Sequence, residues 1–576
     1  MAPLLTLIDI LEHAAATDAA FHFADSASQP LERLSYADFA RAAARATGGL
    51  APLGAGRGTN TEGGGRIGQP IILVMPNGKE LLTALFGALM AGLVPTIAAG
   101  PRPFTDPVAW AKGLATTATF AHQAPIVTTP AVARLFQQAA PQLAADGITP
   151  PQVFTTKMLE GPALGAVSVR PTDLALLQFT SGSLSDPRGA MLSHGGMAQN
   201  AVATAERLDT SPRDVGCFWI PLAHDLALIT VLSLMAAGVD QIMMPTERFA
   251  IDPAAWLELV SGRVSYTVGP PFAFGLALSR LRKKGPPGAL DFRQVRGFIV
   301  GAEPIDATAL RKITAELAPA GLSPNAFMPS YGMAELTCSG CINVPGRPLP
   351  TLSVARGAVG EGSPFLPGRS VVRAIDGERQ VELVGHGPAV PGHAVRVVRD
   401  VRDGGDVAPD GEVGHLQFRG PGRMIGYWRN PEATAEAFDG EWLRTGDLGF
   451  LQDGFCYVTG REKDVIIVRG RHFFPAEIEA LALRLPGVRS GGALAFGAVD
   501  PGGGPERVWL LVSTTPDADQ TALERSLRTT IADQHELALH EVVFVTIDQI
   551  PRTTSGKPRR AEARRRFADR AADAGP

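Results

Sequence analysis

The stretch "LLQFTSGSLSDPRGAMLSH", residues 176–194, ends an apolar run in a loop of small and hydroxyl-bearing residues before a second apolar run begins. Glycine lets a backbone approach an anion, hydroxyls donate hydrogen bonds, and arginine supplies a fixed positive fork. The loop has the composition of a phosphate cradle, although a surface loop between two strands explains this stretch equally well. It lacks the Walker pattern G-x-x-x-x-G-K-[ST]. Its candidate phosphate-binding residues are Thr180, Ser181, Gly182, Ser183 and Arg188.

Length and composition predict a soluble protein of two or more domains. The chain has 576 residues, of which 45% are hydrophobic and 19% are charged. Its net charge of −4 argues against a general nucleic-acid binder. Four cysteines make no disulfide framework. Cys338 and Cys341 have the spacing of a metal or redox pair, but no second close pair completes a zinc site, so ordinary half-buried cysteines are the simpler interpretation.

The chain contains one uncharged stretch long enough to cross a membrane, residues 81–100. Pro95 interrupts it, and a buried-strand pattern, "PIILVMPNG", precedes it. Strand, buried helix and strand is therefore the economical interpretation. The amino terminus is not a signal peptide, because it has no cationic region and Asp9 and Glu12 break its apolar run. We expect a cytoplasmic protein without an integral membrane segment.

Strand-like and helix-like segments alternate up to about residue 345, which predicts helix-covered, mainly parallel sheets. Short alternating strands at 394–400, 413–420 and 454–460 then predict a small β-barrel-like or antiparallel subdomain. A β-α-β pattern returns from about residue 464 and predicts a small α+β domain. The predicted strands of the N-terminal part are 71–75, 124–129, 173–180, 241–245, 265–271 and 296–304, and its amphipathic helices include 252–263 and 306–320.

Most polar motifs follow an apolar strand, where open α/β sheets bind ligands. In order they are "FTSGSLSDPRG", "GAEP", "PSYGMAE", "WLRTGDLGF", "GREKDVIIVRG" and "PRTTSGKPRR". Together they resemble the adenylate-forming superfamily of acyl-CoA synthetases, adenylation domains and luciferases. "WIPLAHDLALI" (219–229) and "YGMAE" (331–335) are most similar to the fatty acyl-AMP ligases. The long stretch 336–384 also matches a segment that these ligases extend and that is associated with loss of transfer to free coenzyme A.

The resemblance implies that ATP and a carboxylic acid, expected to be a fatty acid, form acyl-AMP and pyrophosphate. Both the carboxylate and the α-phosphate are anionic, so the site must neutralise charge and hold the attack in line. Lys557 matches the lysine that bridges the two groups, and Glu335 matches a Mg²⁺-linked glutamate. His224 matches a residue near the carboxylate pocket; a core histidine is the alternative.

The nucleotide site and the hinge are also implied by the resemblance. Asp447 matches the acceptor of both ribose hydroxyls, and Arg461 matches an arginine near ribose and phosphate. Lys463 matches the hinge between an N-terminal domain, residues 1–462, and a mobile C-terminal domain, residues 463–576. The residues expected around the adenine are Gly301, Ala302, Glu303, Tyr331, Gly332 and Met333, with Tyr331 stacked on the base.

The opening loop departs from the family pattern T-S-G-[ST]-[TS]-G-x-P-K-G. Leu184 replaces a hydroxyl residue, Ser185 replaces glycine, and Arg188 replaces lysine but keeps the charge. We expect these changes to affect ATP affinity rather than the fold.

The leading hypothesis is a ligase that loads an acyl carrier protein in trans, because the sequence ends soon after Lys557. A coenzyme A-dependent synthetase and a degenerate adenylate-binding homologue remain as alternatives. The basic tail at 557–570 is either a solvated helix face or a contact for an acidic carrier protein.

Overall fold

The longer, N-terminal part of the chain is built on two sheets of mainly parallel strands. The structure is a computed structural model that describes residues 4–24, 31–54, 59–60, 66–101, 106–179, 188–284, 290–355, 380–399, 405–468, 471–499, 506–552 and 558–569. In the larger sheet, six central strands run parallel, and the two edge strands are antiparallel to their neighbours. Its strands, in spatial order, are β16 (Ser339–Ile342), β15 (Phe327–Gly332), β14 (Gly297–Val300), β13 (Tyr266–Gly269), β11 (Val215–Phe218), β12 (Asp240–Met243), β1 (Ala20–Phe23) and β2 (Glu32–Ser35).

The second sheet has four parallel strands, β6 (Val94–Ile97), β5 (Pro70–Val74), β7 (Ile126–Thr128) and β8 (Val153–Thr155). Every residue of β5 is buried, as the apolar run predicts. The helix that follows it ends at Met90, before the strand that contains Pro95, so the strand, buried helix and strand expected here are confirmed. A short hairpin, β3 (Thr59–Asn60) and β4 (Arg66–Ile67), precedes this sheet.

Helices cover these sheets, and several begin at side chains that cap the exposed backbone N–H groups. Ser193 accepts from Gly196 N, and Asp306 accepts from Thr308 N. No helix among the described residues is long and apolar enough to span a membrane. The helices of the N-terminal part are α1 (Leu7–Ala15), α2 (Tyr36–Leu50), α3 (Lys79–Met90), α4 (Pro107–Phe120), α5 (Pro130–Ala145), α6 (His194–Arg207), α7 (Asp225–Ala236), α8 (Thr246–Ile251), α9 (Ala254–Val260), α10 (Pro271–Lys284), α11 (Ala307–Leu317) and α12 (Pro431–Ala437).

Antiparallel strands form the subdomain that the sequence predicts after residue 390. It is a five-stranded sheet of β19 (Ala394–Val398), β20 (Gly414–Arg419), β23 (Trp442–Gln452), β22 (Phe438–Asp439) and β24 (Phe455–Arg461). A separate antiparallel sheet consists of β9 (Leu174–Phe179), β10 (Gly189–Ser193) and β21 (Gly426–Tyr427). Within the long stretch 336–384, β17 (Thr351–Ala355) pairs antiparallel with β18 (Gln380–Val384), and we call this pair the arm.

The C-terminal part has apolar cores of its own. Ile466, Ile478, Val512 and Ile531 belong to one of them. A three-stranded sheet together with helices forms the expected α+β arrangement there, so the predicted fold class is confirmed. The domain boundary at residues 462/463 stays a prediction. Its elements are β25 (Ile466–Val468), β26 (Arg471–Phe473), α13 (Pro475–Arg484), β27 (Val488–Ala498), β28 (Arg507–Thr514), α14 (Gln520–His535), β29 (Leu539–Phe544) and α15 (Arg560–Ala563).

The four cysteines are more deeply placed than the sequence suggests. Cys217, Cys338, Cys341 and Cys456 are all buried, not half-buried, and none of them is in a disulfide bond. Cys217, Cys341 and Cys456 lie on β11, β16 and β24, and Cys338 directly precedes β16. All four belong to the main apolar cluster, so these small side chains fill core positions.

Candidate active site

Two polar motifs lie side by side at the carboxyl edge of the larger sheet. Gly301, Ala302 and Glu303 follow β14, and Tyr331 and Gly332 end β15. The two strands are parallel neighbours, with Val300 opposite Pro329, so both motifs emerge at the same edge. Open α/β sheets place ligands at such an edge. The structure therefore brings together the residues expected around the adenine.

Close backbone approach explains the glycines at this edge. A Cβ on Gly301 would lie 2.6 Å from Ser330 Oγ, and a Cβ on Gly332 would lie 1.5 Å from the Cys338 carbonyl oxygen. Ala302 has φ +70°, in the left-handed region that non-glycine residues rarely occupy. Strained backbone of this kind persists where the surrounding structure enforces it, often at ligand sites.

Asp447 is a buried carboxylate at the centre of a hydrogen-bond network. Strand pairing between β23 and β24 places Arg461 directly opposite Asp447, and Arg461 Nε donates to Asp447 Oδ1 at 3.1 Å. Tyr331 Oη donates to the other oxygen, Oδ2, at 2.5 Å. Burial and the neighbouring Asp447 carboxylate raise the pKa of Tyr331. Asp447 also raises the pKa of Arg461. The positive charge of Arg461 interacts electrostatically with the Glu335 carboxylate as well.

Glu335 lies in a short 3₁₀ turn, Ala334–Leu336, directly after β15, and its side chain is buried. Burial raises the pKa of its carboxyl, which is partly offset because Tyr427 Oη donates to Glu335 Oε1 at 2.8 Å. The guanidinium of Arg188 lies 5.6 Å from the centroid of the Tyr427 ring. Arg188, the last residue of the candidate phosphate loop, is therefore connected to Glu335 through Tyr427.

Sequence reasoning missed Tyr427. Its strand, β21, pairs with β10, so that Tyr427 lies opposite Ala190, two residues after Arg188. The available signal was the glycine-rich run "GPGRMIGYW" (420–428), in which an aromatic pair follows a turn. That run does not identify a partner, because Tyr427 and Glu335 are 92 residues apart in the chain.

A cavity lies beside the carboxyl edge of the larger sheet, bounded mainly by α6, α7, β13, β14 and β15. Ala302, Tyr331 and Gly332 contribute to its wall, and so does Asp225, the first residue of α7. Its apolar lining is Leu208, Leu226, Ile229, Leu234, Ile299 and Ile342. The sequence did not single out these lining residues.

His224 is the N-cap residue of α7 and directly precedes the cavity-lining Asp225. Its side chain is half-buried and is not part of the cavity wall. Its proposed role near the substrate carboxylate therefore stays a prediction.

The predicted hinge residue Lys463 is exposed in the 3₁₀ turn Glu462–Asp464. Its neighbour Asp464 accepts a hydrogen bond from Arg560 Nη1 at 2.9 Å. Arg560 Nη2 also donates to the buried carboxylate of Glu479 at 2.7 Å. The predicted hinge is thus joined directly to the chain that follows Lys557.

Lys557 lies outside the described residues, as do Thr180, Ser181, Gly182, Ser183, Leu184 and Ser185. On either side of the undescribed residues 553–557, Arg552 forms an antiparallel bridge with Pro558. Arg552 Nη2 donates to the carbonyl oxygens of Gly491, at 2.9 Å, and Ala493, at 3.1 Å. Burial raises the pKa of Glu303, and the charge of Arg552 partly offsets this rise. Arg552 therefore lies near Glu303 at the carboxyl edge of the larger sheet.

A large parallel-sheet domain with a polar site at its carboxyl edge, followed by a small α+β domain, matches the architecture of the adenylate-forming enzymes. The chain belongs to the AMP-binding enzyme family, whose sequence profile matches residues 11–428.

Relatives of known name cover most of the chain. It is 30% identical over 537 residues to FadD25 of Mycobacterium tuberculosis, provisionally named a fatty-acid–CoA ligase, covering 86% of this chain and 87% of that protein. It is 30% identical over 526 residues to JamA of Moorena producens, named a medium-chain-fatty-acid–[acyl-carrier-protein] ligase, covering 86% and 85%. A solved structure from a study of fatty acyl-adenylate ligases of E. coli and L. pneumophila superposes with a TM-score of 0.86 at 28% identity, covering 99% of this chain and 98% of that one. The resemblance stated from the sequence motifs is therefore confirmed.

Proposed function

We propose that this protein activates a fatty acid as its acyl adenylate and transfers the acyl group to the phosphopantetheine thiol of a carrier protein. The observation that carries the proposal is the position of Tyr331. Its side chain lines the apolar cavity, while its hydroxyl donates to Asp447. A nucleotide held by Asp447 and an acid held in the cavity would meet at one edge of the larger sheet.

In this proposal ATP lies along the carboxyl ends of β14 and β15. The ribose hydroxyls donate to Asp447, because each carboxylate oxygen that already accepts one protein donor has a further acceptor site. The base lies against Gly301, Ala302, Glu303, Gly332 and Met333, and stacks on Tyr331. Arg461 and Arg188 supply positive charge on the phosphate side, and Thr180, Ser181, Gly182 and Ser183 stay the sequence-based candidates for phosphate binding.

Magnesium fits the donor set if phosphate oxygens complete its shell. The part of the chain that the structure describes has no group of three or more His, Cys, Asp or Glu side chains able to hold a metal ion alone. Mg²⁺ in nucleotide sites usually takes one or two carboxylates plus phosphate and water oxygens. Glu335 offers one such carboxylate, positioned by Tyr427. Bound Mg²⁺ would withdraw charge from the phosphates.

The chemistry requires positive charge close to two anions. One oxygen of the substrate carboxylate bonds to the α-phosphorus, the bond from that phosphorus to the bridging oxygen breaks, and pyrophosphate leaves. Lys557 is proposed to bridge the attacking carboxylate and the α-phosphate, where a fixed ammonium favours the developing charge. His224 is proposed to position the carboxylate at the start of α7. Arg188 and Arg461 reduce the repulsion between the two anions.

The fatty nature of the acid is supported by the cavity and by the relatives. Aliphatic side chains such as Leu226, Ile229 and Ile299 line the cavity, and apolar surface favours an alkyl chain over a charged group. JamA is named for fatty-acid transfer to a carrier protein, and the superposed structure comes from a study of fatty acyl-adenylate ligases.

The arm supports a carrier protein as the acceptor. Val354 and Leu383 of the arm share one apolar cluster with Phe474 of the C-terminal part. Phe474 in turn packs against β24 at Gly460, where a Cβ would lie 2.4 Å from its ring. Docked in this way, the arm would restrain the C-terminal part, whose movement the second half-reaction needs. A carrier protein can offset such a restraint with its own surface contacts, whereas free coenzyme A cannot.

A coenzyme A-dependent synthetase is the second candidate, and the name of FadD25 favours it. A degenerate adenylate-binding homologue is disfavoured, because Glu335, Asp447 and Arg461 are retained and connected by hydrogen bonds or charge.

Acid-dependent exchange of labelled pyrophosphate into ATP tests the first half-reaction. We expect exchange with saturated fatty acids of graded length and none without acid. A folded protein that binds ATP yet exchanges nothing with any acid would support the degenerate homologue.

A matched pair of variants tests the acceptor. Val354→Ala removes buried arm packing near Phe474, and Ser353→Ala changes an exposed neighbour on the same strand. We expect Val354→Ala, and more strongly a shortened segment between about Val344 and Gly377, to raise acyl-CoA formation. Ser353→Ala should leave it unchanged. Acyl-CoA formation that is already efficient in the unmodified protein would favour the synthetase.

A further inference from the structure

The turn that carries Glu335 contains a strained backbone. It reverses the chain between β15 and the antiparallel β16, and Met333 N closes it by donating to the Cys338 carbonyl oxygen at 3.1 Å. Within this turn Thr337 has φ +65°, in the left-handed region. Among the described non-glycine residues with positive φ, Thr337 is the one with a β-branched side chain. Such a residue is a genuine outlier there, whereas glycine adopts the same φ readily.

The Thr337 side chain connects the turn to the loop that precedes β21. Its residue is 4% exposed, and its Oγ1 donates to the Gly422 carbonyl oxygen at 2.7 Å. Gly422 is itself fixed, because its N–H donates to His393 Nε2 at 3.1 Å. Two residues further on, Met424 N donates to the Glu335 carbonyl oxygen at 2.7 Å. The turn and the loop therefore hold each other at two points.

The same loop leads to the residue that holds the Glu335 side chain. Tyr427 Oη donates to Glu335 Oε1 at 2.8 Å. Both the backbone and the carboxylate of Glu335 are thus held by one short segment, and Thr337 fixes the turn against that segment. Glycine at position 337 would relieve the backbone strain but could not bond to Gly422. Strain of this kind persists where the surrounding structure enforces it, and it concentrates at functional sites.

We propose that Thr337 is a positioning residue that fixes the Glu335 carboxylate in the orientation in which it binds the Mg²⁺ of the nucleotide. This inference rests on the proposed function, in which Glu335 is the Mg²⁺ ligand. Thr337 acts through the turn and does not touch the cation. Mg²⁺ demands near-ideal octahedral geometry, and residues that orient a ligand contribute to metal affinity. A Glu335 carboxylate that is free to rotate with its turn would therefore bind Mg²⁺ less well.

The test measures the contribution of the cation to ATP binding. Calorimetry gives the dissociation constant of ATP with EDTA and with Mg²⁺, and we call the ratio of the two constants the cation effect. Thr337→Val keeps the branched shape and removes the donor, so the cation effect should fall by about 3- to 10-fold, the range of one neutral hydrogen bond. Thr337→Ser keeps the hydroxyl and should retain the full effect.

Thr337→Gly separates the hydroxyl from the backbone conformation. Glycine adopts φ +65° without strain but has no donor for Gly422. We expect it to lower the cation effect as valine does, although it relieves the turn. It also tests the same point if the valine variant does not fold. If the backbone conformation alone mattered, glycine would serve as well as threonine.

Two comparisons show that the loss acts through Glu335. In a Glu335→Gln background, Thr337→Val should have little further effect, because the carboxylate that it orients is already gone. Thr128→Val removes a buried hydroxyl of the same kind in the second sheet, where Thr128 Oγ1 donates to the Val74 carbonyl oxygen at 2.6 Å, and should leave the cation effect unchanged. Each cation effect is a ratio within one variant, so a general loss of stability does not affect it.

The inference is overturned if Thr337→Val and Thr337→Gly both keep the full cation effect. It is equally overturned if Thr337→Val lowers the effect as much in the Glu335→Gln protein as in the unmodified one. Failure of the proposed function looks different, because the unmodified protein would then exchange no pyrophosphate with any acid.

Discussion

Replacing Asp447 with asparagine separates nucleotide binding from structure at this position. Asp447 accepts from Tyr331 and Arg461, and is proposed to accept both ribose hydroxyls. Asparagine keeps one acceptor oxygen but loses the charge and the second acceptor. Hydrogen bonds to a charged group contribute about 1.5–3 kcal/mol each. Losing one and weakening another should cost about 3 kcal/mol of ATP binding, or about 100-fold in affinity.

The structural cost of the same change should be smaller. The Arg461 side chain is 61% exposed, and an exposed ion pair contributes at most about 1 kcal/mol. Pyrophosphate exchange against ATP concentration gives the KM, and thermal unfolding checks the fold. Asp453→Asn, at the exposed turn of the same hairpin, is the control and should leave the KM for ATP unchanged. An unchanged KM in a folded Asp447→Asn protein would refute the ribose assignment.

Three further predictions address other residues. Lys557→Ala should lower pyrophosphate exchange by about two to three orders of magnitude, as expected when one preorganised charge is removed; near-normal exchange would contradict its role. Tyr427→Phe should lower the free energy of unfolding, measured by denaturant titration, by about 1–3 kcal/mol, because the buried Glu335 carboxylate loses its hydrogen-bond donor. In a Glu335→Gln background the same substitution should cost less, and an equal loss would mean that the two side chains are not coupled. Burial lowers the pKa of His194 from 6.5 to about 4, so its contribution to stability is full above pH 6.5 and is lost as pH falls towards 4. In unfolding measured against pH, His194→Gln should remove up to about 3 kcal/mol of this acid sensitivity. Identical pH profiles for the two proteins would contradict the shift.

The strands could be predicted because each depends on a local apolar run. The run at 71–75 became β5, Pro70–Val74, with every residue buried. The run at 296–304 became β14, Gly297–Val300, and its polar end became the turn at the sheet edge. The predicted helix 252–263 was too long: α9 spans Ala254–Val260, because Pro253 precedes its first residue and Ser261 ends it.

The geometry of the site could be predicted only in part. The motifs named Asp447 and Arg461 separately, but their contact depends on the pairing register of β23 and β24, which sequence spacing does not determine. Tyr427 was missed because it reaches Glu335 through strand pairing far along the chain. The cavity wall arises from packing between distant elements, so no local pattern indicates it.

The account is tested most directly by offering both acceptors at once. The unmodified protein would be incubated with a fatty acid, ATP, Mg²⁺, coenzyme A and a holo carrier protein at equal concentrations, and the acyl products quantified by mass spectrometry. The account predicts acyl-AMP and acyl-carrier protein with little acyl-CoA. Acyl-CoA as the main product, or no acyl-AMP from any fatty acid, would contradict it.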